Sequence, residues 1–321
     1  VERSPVGVGT IKDALDKGQQ NIIFLPSVTF QESETALQVR VIERAQRDML
    51  GEGPLWDEAR QALLWVDIVG RQVHAVDIDS GRHTALPVPE PIGWVLPRAA
   101  ADDFVAGFRS GFAFLDIDSG AIRPIGNPEP ERPQNRLNDA KVDAAGRIWA
   151  GSKDDQDEQA SGALYRLDAD LRWKRLDDGY GVANGPTFCP ENKTLYHTDS
   201  AARTIYAMDL APDGSLSGKR VWLRFEDAWG YPDGMTTDAE GCIWIAHWGG
   251  GRISRFSPGG KLLRSIALPA TNITSCTFAG PALDRMFVTS SRIDAAEEPL
   301  AGCLFEIDPG VQGLPQPRFA G

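Results

Sequence analysis

Short hydrophobic runs recur along the chain, each closed off by Gly, Asp or Pro before a helix could establish itself. One set reads "ALLWVD" (62–67), "DFVAGF" (103–108), "RIWAGS" (147–152), "TLYHTD" (194–199), "CIWIAH" (242–247) and "RMFVTS" (285–290). Their period-2 alternation and their β-branched and aromatic content predict strands. A second strand follows each, as in "VHAVDIDSG", "FAFLDIDSG", "ALYRLDADL", "IYAMDLAPDG", "ISRFSPGG" and "CLFEIDPG". It ends on an aspartate at 77, 116, 168, 209 and 308, with Ser257 in the fifth copy, so the unit returns after 39, 52, 41, 48 and 51 residues. A third segment usually follows the turn. A multi-stranded unit repeating every ~40–50 residues is the mark of a β-propeller. Six copies predict an all-β, six-bladed propeller, because a β-sandwich would not repeat in register.

The two ends of the chain depart from the repeat. "LQVRVIERA" (37–45) alternates like a strand yet precedes the first unit, and is expected to pair as the outer strand of the last blade. Such a clasp closes the ring and covers an edge that would otherwise expose backbone donors and acceptors. The domain organisation read here is an N-terminal extension over 1–37 and a propeller domain over 38–321. Within the extension, "TIKDALDK" is compatible with one or two helical turns behind a Thr10 cap.

The run before each first-set strand completes the unit: "EGPLWDEA", "IGWVLPRA", "NDAKVDAA", "NGPTFCPE", "DGMTTDAE" and "TSCTFAGP". In a propeller these are the innermost strands, and their opening residues gather at one mouth of the central channel. The opening positions are Glu52, Gly93, Asn138, Asn184, Asp233 and Thr274 or Ser275. One Asn-Gly is ordinarily a turn, but four oxygen-bearing side chains at matching register converge on one axis. Two carboxylates facing each other there are costly unless a cation lies between them. Glu, Asp and Asn oxygens suit calcium, magnesium, manganese or ferrous iron better than a thiolate-type zinc site.

Charge and composition narrow the function. The net charge of −12 repels phosphate backbones, which argues against a nucleic-acid partner. No apolar run approaches the ~20 residues of a membrane span, and the start lacks a signal-peptide shape. Cys189, Cys242, Cys276 and Cys303 are isolated and read as small buried hydrophobes in a reducing cytoplasm. The four histidines are scattered, and His197 and His247 read as structural. No G-x-S-x-G is present, which removes the commonest serine-hydrolase signature. Trp94 reads equally as a pocket wall or as core.

The ordered set "LGEGPLW", "RLNDAKVD", "GRIWAGS", "ANGPTF", "YHTDS", "YPDGM" and "AHWGG" resembles the gluconolactonase–regucalcin (senescence marker protein) family of six-bladed propellers. The likeness runs from about residue 40 to the C-terminus and leans toward bacterial sugar lactonases. It implies one divalent cation (Ca, Mn, Mg, Fe(II) or Zn) held by Glu52, Asn184 and Asp233. It also implies substrate hydroxyls held by Arg136, Asn138 and Asp139. Where the family commonly has G-T-M, this chain has "GSK", which puts Lys153 near the channel mouth. An acidic substrate contact found in some members falls on Gln156, Asp157 or Glu158.

The expected activity is metal-dependent hydrolysis of a sugar (aldono-)lactone in the cytoplasm, with a small-molecule substrate and neither nucleic acid nor membrane as partner. Asp233 is the expected general base, or the group that orients the attacking water. Two other readings stay open: an organophosphate or aryl-ester hydrolase on the same scaffold, and a non-catalytic calcium-binding propeller.

Overall fold

The computed structural model describes residues 39–321, so the turns expected in "TIKDALDK" lie outside the described residues. Among the described residues, twenty-four strands form six separate four-stranded antiparallel sheets. Five sheets take their strands in sequence order, from residues 51–87, 92–126, 135–180, 183–224 and 231–267. The first strand of each sheet packs on the first strand of the next, and the sixth returns to the first, so the sheets are the blades of one closed propeller.

The sixth blade joins both ends of the described chain. Its strands Asn272–Ala279, Arg285–Ser291 and Leu304–Ile307 are completed on the outside by Arg40–Ile42. Arg40, Val41 and Ile42 stand opposite Glu306, Phe305 and Leu304, and the Arg40 guanidinium pairs with Glu306. The expected clasp is therefore present, over three residues of the alternating segment.

Burial follows the position of each strand within its blade. All eight residues of the innermost Asn272–Ala279 are buried, whereas the outermost Leu216–Arg224 is largely exposed and carries Lys219, Arg220 and Arg224. Charged edges of this kind discourage pairing with other chains. The hydrophobic core divides into six clusters, each wedged between consecutive blades; Trp94, Phe112, Leu137 and Tyr165, for example, lie between the second and third. Packing between the blades leaves the axis to polar side chains.

Near its start, every inner strand slips in register against its neighbour. The slips fall between Glu52 and Leu55, Ile92 and Trp94, Leu137 and Ala140, Asn184 and Thr187, Pro232 and Met235, and Ile273 and Ser275. A bulge leaves residues unpaired in the ladder, bends the strand and re-aims its side chains. All six opening positions read from the sequence fall at these bulges.

The far ends of the inner strands meet a different structure. The C-terminal tail crosses that mouth: Gly313 bridges to Asp238, Phe319 hydrogen-bonds Pro97 and Ala99, and the Ala320 N–H donates to Gly146 O. The Phe319 ring is fully buried between the second and third blades. Among the described residues no helix is long and apolar enough to cross a membrane.

Candidate active site

The bulges bring the site together. Glu52 starts the inner strand Gly51–Asp57, Arg136 and Asn138 lie on Asn135–Val142, Asn184 on Ala183–Phe188 and Asp233 on Tyr231–Thr237. Gly53 (φ 54°) and Gly185 (φ 68°) follow Glu52 and Asn184, and left-handed backbone there favours glycine. This explains why "EGP" and "NGP" share a pattern: each is a strand start whose first polar side chain faces the channel. All five of these polar side chains line one cavity of about 410 Å³.

Hydrogen bonds link them into a chain across the third to fifth blades. The Arg136 guanidinium donates to Asp155 Oδ1 (2.6 Å) and to Asn138 Oδ1 (2.7 Å). Asn138 Nδ2 donates to Asn184 Oδ1 and to Ala183 O, both at 2.9 Å. Asn184 Nδ2 in turn donates to Ser200 Oγ (3.0 Å), and that hydroxyl donates to Pro232 O (2.6 Å), beside Asp233. Both amides are thus fixed in orientation, and Asn184 Oδ1 keeps a lone pair for another partner.

The carboxylates are less well satisfied. Asp233 Oδ1 is buried without a hydrogen-bond partner, and Glu52 Oε2 accepts the N–H of its own neighbour, Gly53, at 3.0 Å. Burial, then the nearby Asp233 and Asp139 carboxylates, push Glu52 well above the usual carboxylate range. Burial and Asp139 do the same to Asp233, partly offset by Lys153 and Arg136. Asp139 itself is pushed up to about 6, chiefly by burial. Buried like charges must be protonated or shared with a cation. The donors fit a hard divalent ion: two carboxylates with spare lone pairs, and an amide oxygen held in place beside them. Among the described residues no three His, Cys, Asp or Glu side chains group as a metal cluster, because this set has two acids and an amide.

Not every residue singled out in the sequence reaches the cavity. Asp139 is buried, accepts the Ala140 N–H at 2.7 Å and is absent from the cavity lining. Of the three candidates in the following loop, Asp157 lines the cavity and Gln156 and Glu158 do not. Trp94 packs against Phe112 in the core. Burial lowers His197 to about 3 and His247 to about 4, and neither lines the cavity. The cysteines are free, with Cys189 half-buried and the other three buried.

The structure adds residues that periodicity did not single out. Asp155 holds Arg136, Ser200 holds Asn184, and Asp294 reaches the rim from the sixth blade. Leu50, Ile68, Val182, Tyr231 and Trp248 add apolar side chains to the lining. Ser200 had a signal, since it directly follows "TLYHTD" in the blade of Asn184.

Comparison with known proteins bears on the fold and the family. A profile of the SMP-30/Gluconolactonase/LRE-like region matches residues 50–292. The L-arabinolactonase of Azospirillum brasilense is 37% identical over 286 residues, covering 86% of this chain and 93% of the relative. The 6-deoxy-6-sulfogluconolactonase of Pseudomonas putida is 34% identical over 282 residues, covering 86% of this chain and 97% of the relative. The crystal structure of a calcium-binding protein, regucalcin, from Agrobacterium tumefaciens superposes with a TM-score of 0.83 at 26% identity, over 89% of this chain and 98% of the other. The chain is a member of the SMP-30/gluconolactonase/LRE-like family.

Proposed function

We propose that the protein hydrolyses a sugar lactone to the open-chain acid and that Glu52, Asn184 and Asp233 hold one divalent cation for the reaction. The observation that carries this reading is the single cavity that joins two under-satisfied acids, a fixed amide and the Arg136–Asn138 pair. The relatives named L-arabinolactonase and 6-deoxy-6-sulfogluconolactonase support the reaction class, and the calcium-binding regucalcin supports the cation.

A bound divalent cation polarises a lactone carbonyl and offsets the charge that develops on its oxygen during attack. The chain's own residues supply the rest. Asp233, with its unpartnered Oδ1, takes the proton of the attacking water or orients that water. Arg136 and Asn138 hold ring hydroxyls, and the hydrogen-bonded chain to Asn184 and Ser200 keeps them from swinging away. Asp139, outside the lining, acts through its charge on Glu52 and Asp233. Tyr231 and Trp248 in the same lining offer apolar surface for the C–H groups of a sugar ring.

The test is proton release from a panel of aldonolactones, with and without chelator. We expect turnover of at least one aldonolactone, lost on chelation and restored by calcium, manganese, magnesium or zinc, or by ferrous iron under anaerobic conditions. Faster turnover of aryl esters or organophosphates than of every aldonolactone would move the assignment to the aryl-ester reading. No turnover of any of these substrates would leave a binding propeller.

A further inference from the structure

Among the described residues Lys153 is the one lysine in the cavity lining, and apart from the effect of its charge on Asp233 it has no assigned role. It lies on the second strand of the third blade, directly opposite Arg136 in the ladder. Two cations facing each other across a strand pair repel. Each is offset by a separate carboxylate of the following loop, Arg136 by Asp155 at 2.6 Å and Lys153 by Asp157 at 2.5 Å. The Lys153 side chain is 9% exposed, whereas that of Asp157 is 55% exposed and stands at the rim. Burying an ammonium is costly, so its position calls for a reason.

Fastening the loop is not that reason. Asp154 accepts the backbone N–H groups of Gln156, Glu158 and Gln159 at 3.1–3.2 Å and so holds the turn by itself. Asp155 is tied down independently by Arg109 and Arg136. What the pair adds is a donor and an acceptor side by side in the cavity. An ammonium that donates to one hydroxyl, beside a carboxylate that accepts from the next, matches a vicinal diol.

The charge of the lining indicates what kind of diol. Both cations of the lining already have a carboxylate partner, Arg136 in Asp155 and Lys153 in Asp157, and the remaining acids, Glu52, Asp233 and Asp294, are negative. Even with a divalent cation bound, the lining would have no spare positive charge for an acidic substrate. We infer that the Lys153–Asp157 pair is a hydroxyl-reading subsite that selects a neutral, polyhydroxylated lactone. This inference rests on the lactonase reading for its substrate, but the subsite itself can be tested without hydrolysis.

The experiment compares wild type, Lys153→Met and Asp157→Asn in the metal-loaded full chain. Steady-state kinetics use a neutral aldonolactone, unsubstituted δ-valerolactone and an aldarolactone bearing a free carboxylate, and calorimetry measures binding of the non-reactive polyol D-glucitol. For Lys153→Met, KM for the aldonolactone and Kd for D-glucitol should rise about tenfold or more, as expected for a lost hydrogen bond to a charged group. Asp157→Asn should raise both in the same direction. Turnover of δ-valerolactone should fall far less than that of the aldonolactone, since only the charge of Lys153 on Asp233 is lost there, and the melting temperature should stay close to wild type. Equal losses on aldonolactone and δ-valerolactone, or unchanged binding of D-glucitol, would overturn the inference. So would a wild-type preference for the aldarolactone that Lys153→Met abolishes, since Lys153 would then be reading an anion. If wild type hydrolyses no lactone while Lys153→Met still weakens D-glucitol binding, the lactonase reading falls and the subsite stands.

Discussion

The six inner strands share one backbone device and use it in two ways. In the first, third, fourth and fifth blades the bulge presents Glu52, Asn138, Asn184 and Asp233 to the cavity. In the second and sixth it presents Gly93 and Thr274, which are absent from the lining. A Cβ on Gly93 would lie 2.5 Å from Asn138 O, so glycine there lets the third blade's bulge come close. Thr274 Oγ1 donates to Gly51 O at 2.6 Å, beside Glu52, across the junction that closes the ring. These two bulges therefore pack against those that bear Asn138 and Glu52. The repeat supplies the geometry, and the side chain decides whether a given copy faces the cavity or packs behind it.

That division can be broken at a chemical copy and at a supporting one. The largest effect is expected for Asp233→Ala. Loss of the proposed base should lower kcat about 10²–10⁴-fold, with the fold retained, because Asp233 lies at the channel mouth and outside the clusters between blades. Activity within tenfold of wild type, measured with cation restored, would remove Asp233 from the reaction. Gly93→Ala should cost about 1–3 kcal/mol of stability through overpacking, and should raise KM by displacing the strand that bears Asn138. Denaturant unfolding and lactone kinetics on the same preparation check both effects; a neutral result would mean that the close approach is not needed. The smallest effect is expected for Thr274→Val, about 1–2 kcal/mol for the hydrogen bonds to Gly51 O and Thr289 Oγ1, with kcat little changed. A large loss of kcat there would blur the line between the two kinds of copy.

Much of this was legible in the sequence, for a physical reason. Strand alternation, the recurring turn aspartates and the spacing of the opening residues are local or periodic, so laying the chain against itself exposes them. The segment "LQVRVIERA" was legible because an alternating strand with no place in the first unit needs an edge to cover. The contacts that finish the site follow no period. Asp155 reaches Arg136 and Asp157 reaches Lys153 because a turn built on Asp154 folds back over the mouth, and no spacing rule encodes that return. Asp139 shows the limit of reading by motif: it adjoins Asn138 in sequence, yet its side chain lies off the lining. The C-terminal tail, which belongs to no repeat, crosses the opposite mouth to the second and third blades. Only contacts distant in sequence specify that path.

The buried acids give the most direct test of the cation site, because it needs no substrate. Glu52, Asp139 and Asp233 have folded-state pKa values above their unfolded ones, so without a cation they favour the folded state most when protonated. That contribution is lost as pH rises from the ordinary carboxylate range through about 6, the raised value of Asp139, and beyond for the other two. A cation requires the ionised form and so stabilises most at high pH. The measurement is the melting temperature with saturating divalent cation and with chelator, at pH 5 and at pH 8, for wild type and for Glu52→Gln. In wild type, chelation should lower the melting temperature markedly at pH 8 and little at pH 5, and Glu52→Gln should shrink the pH 8 gap. A gap of equal size at both pH values, or no gap at either, would contradict a cation held by Glu52, Asn184 and Asp233.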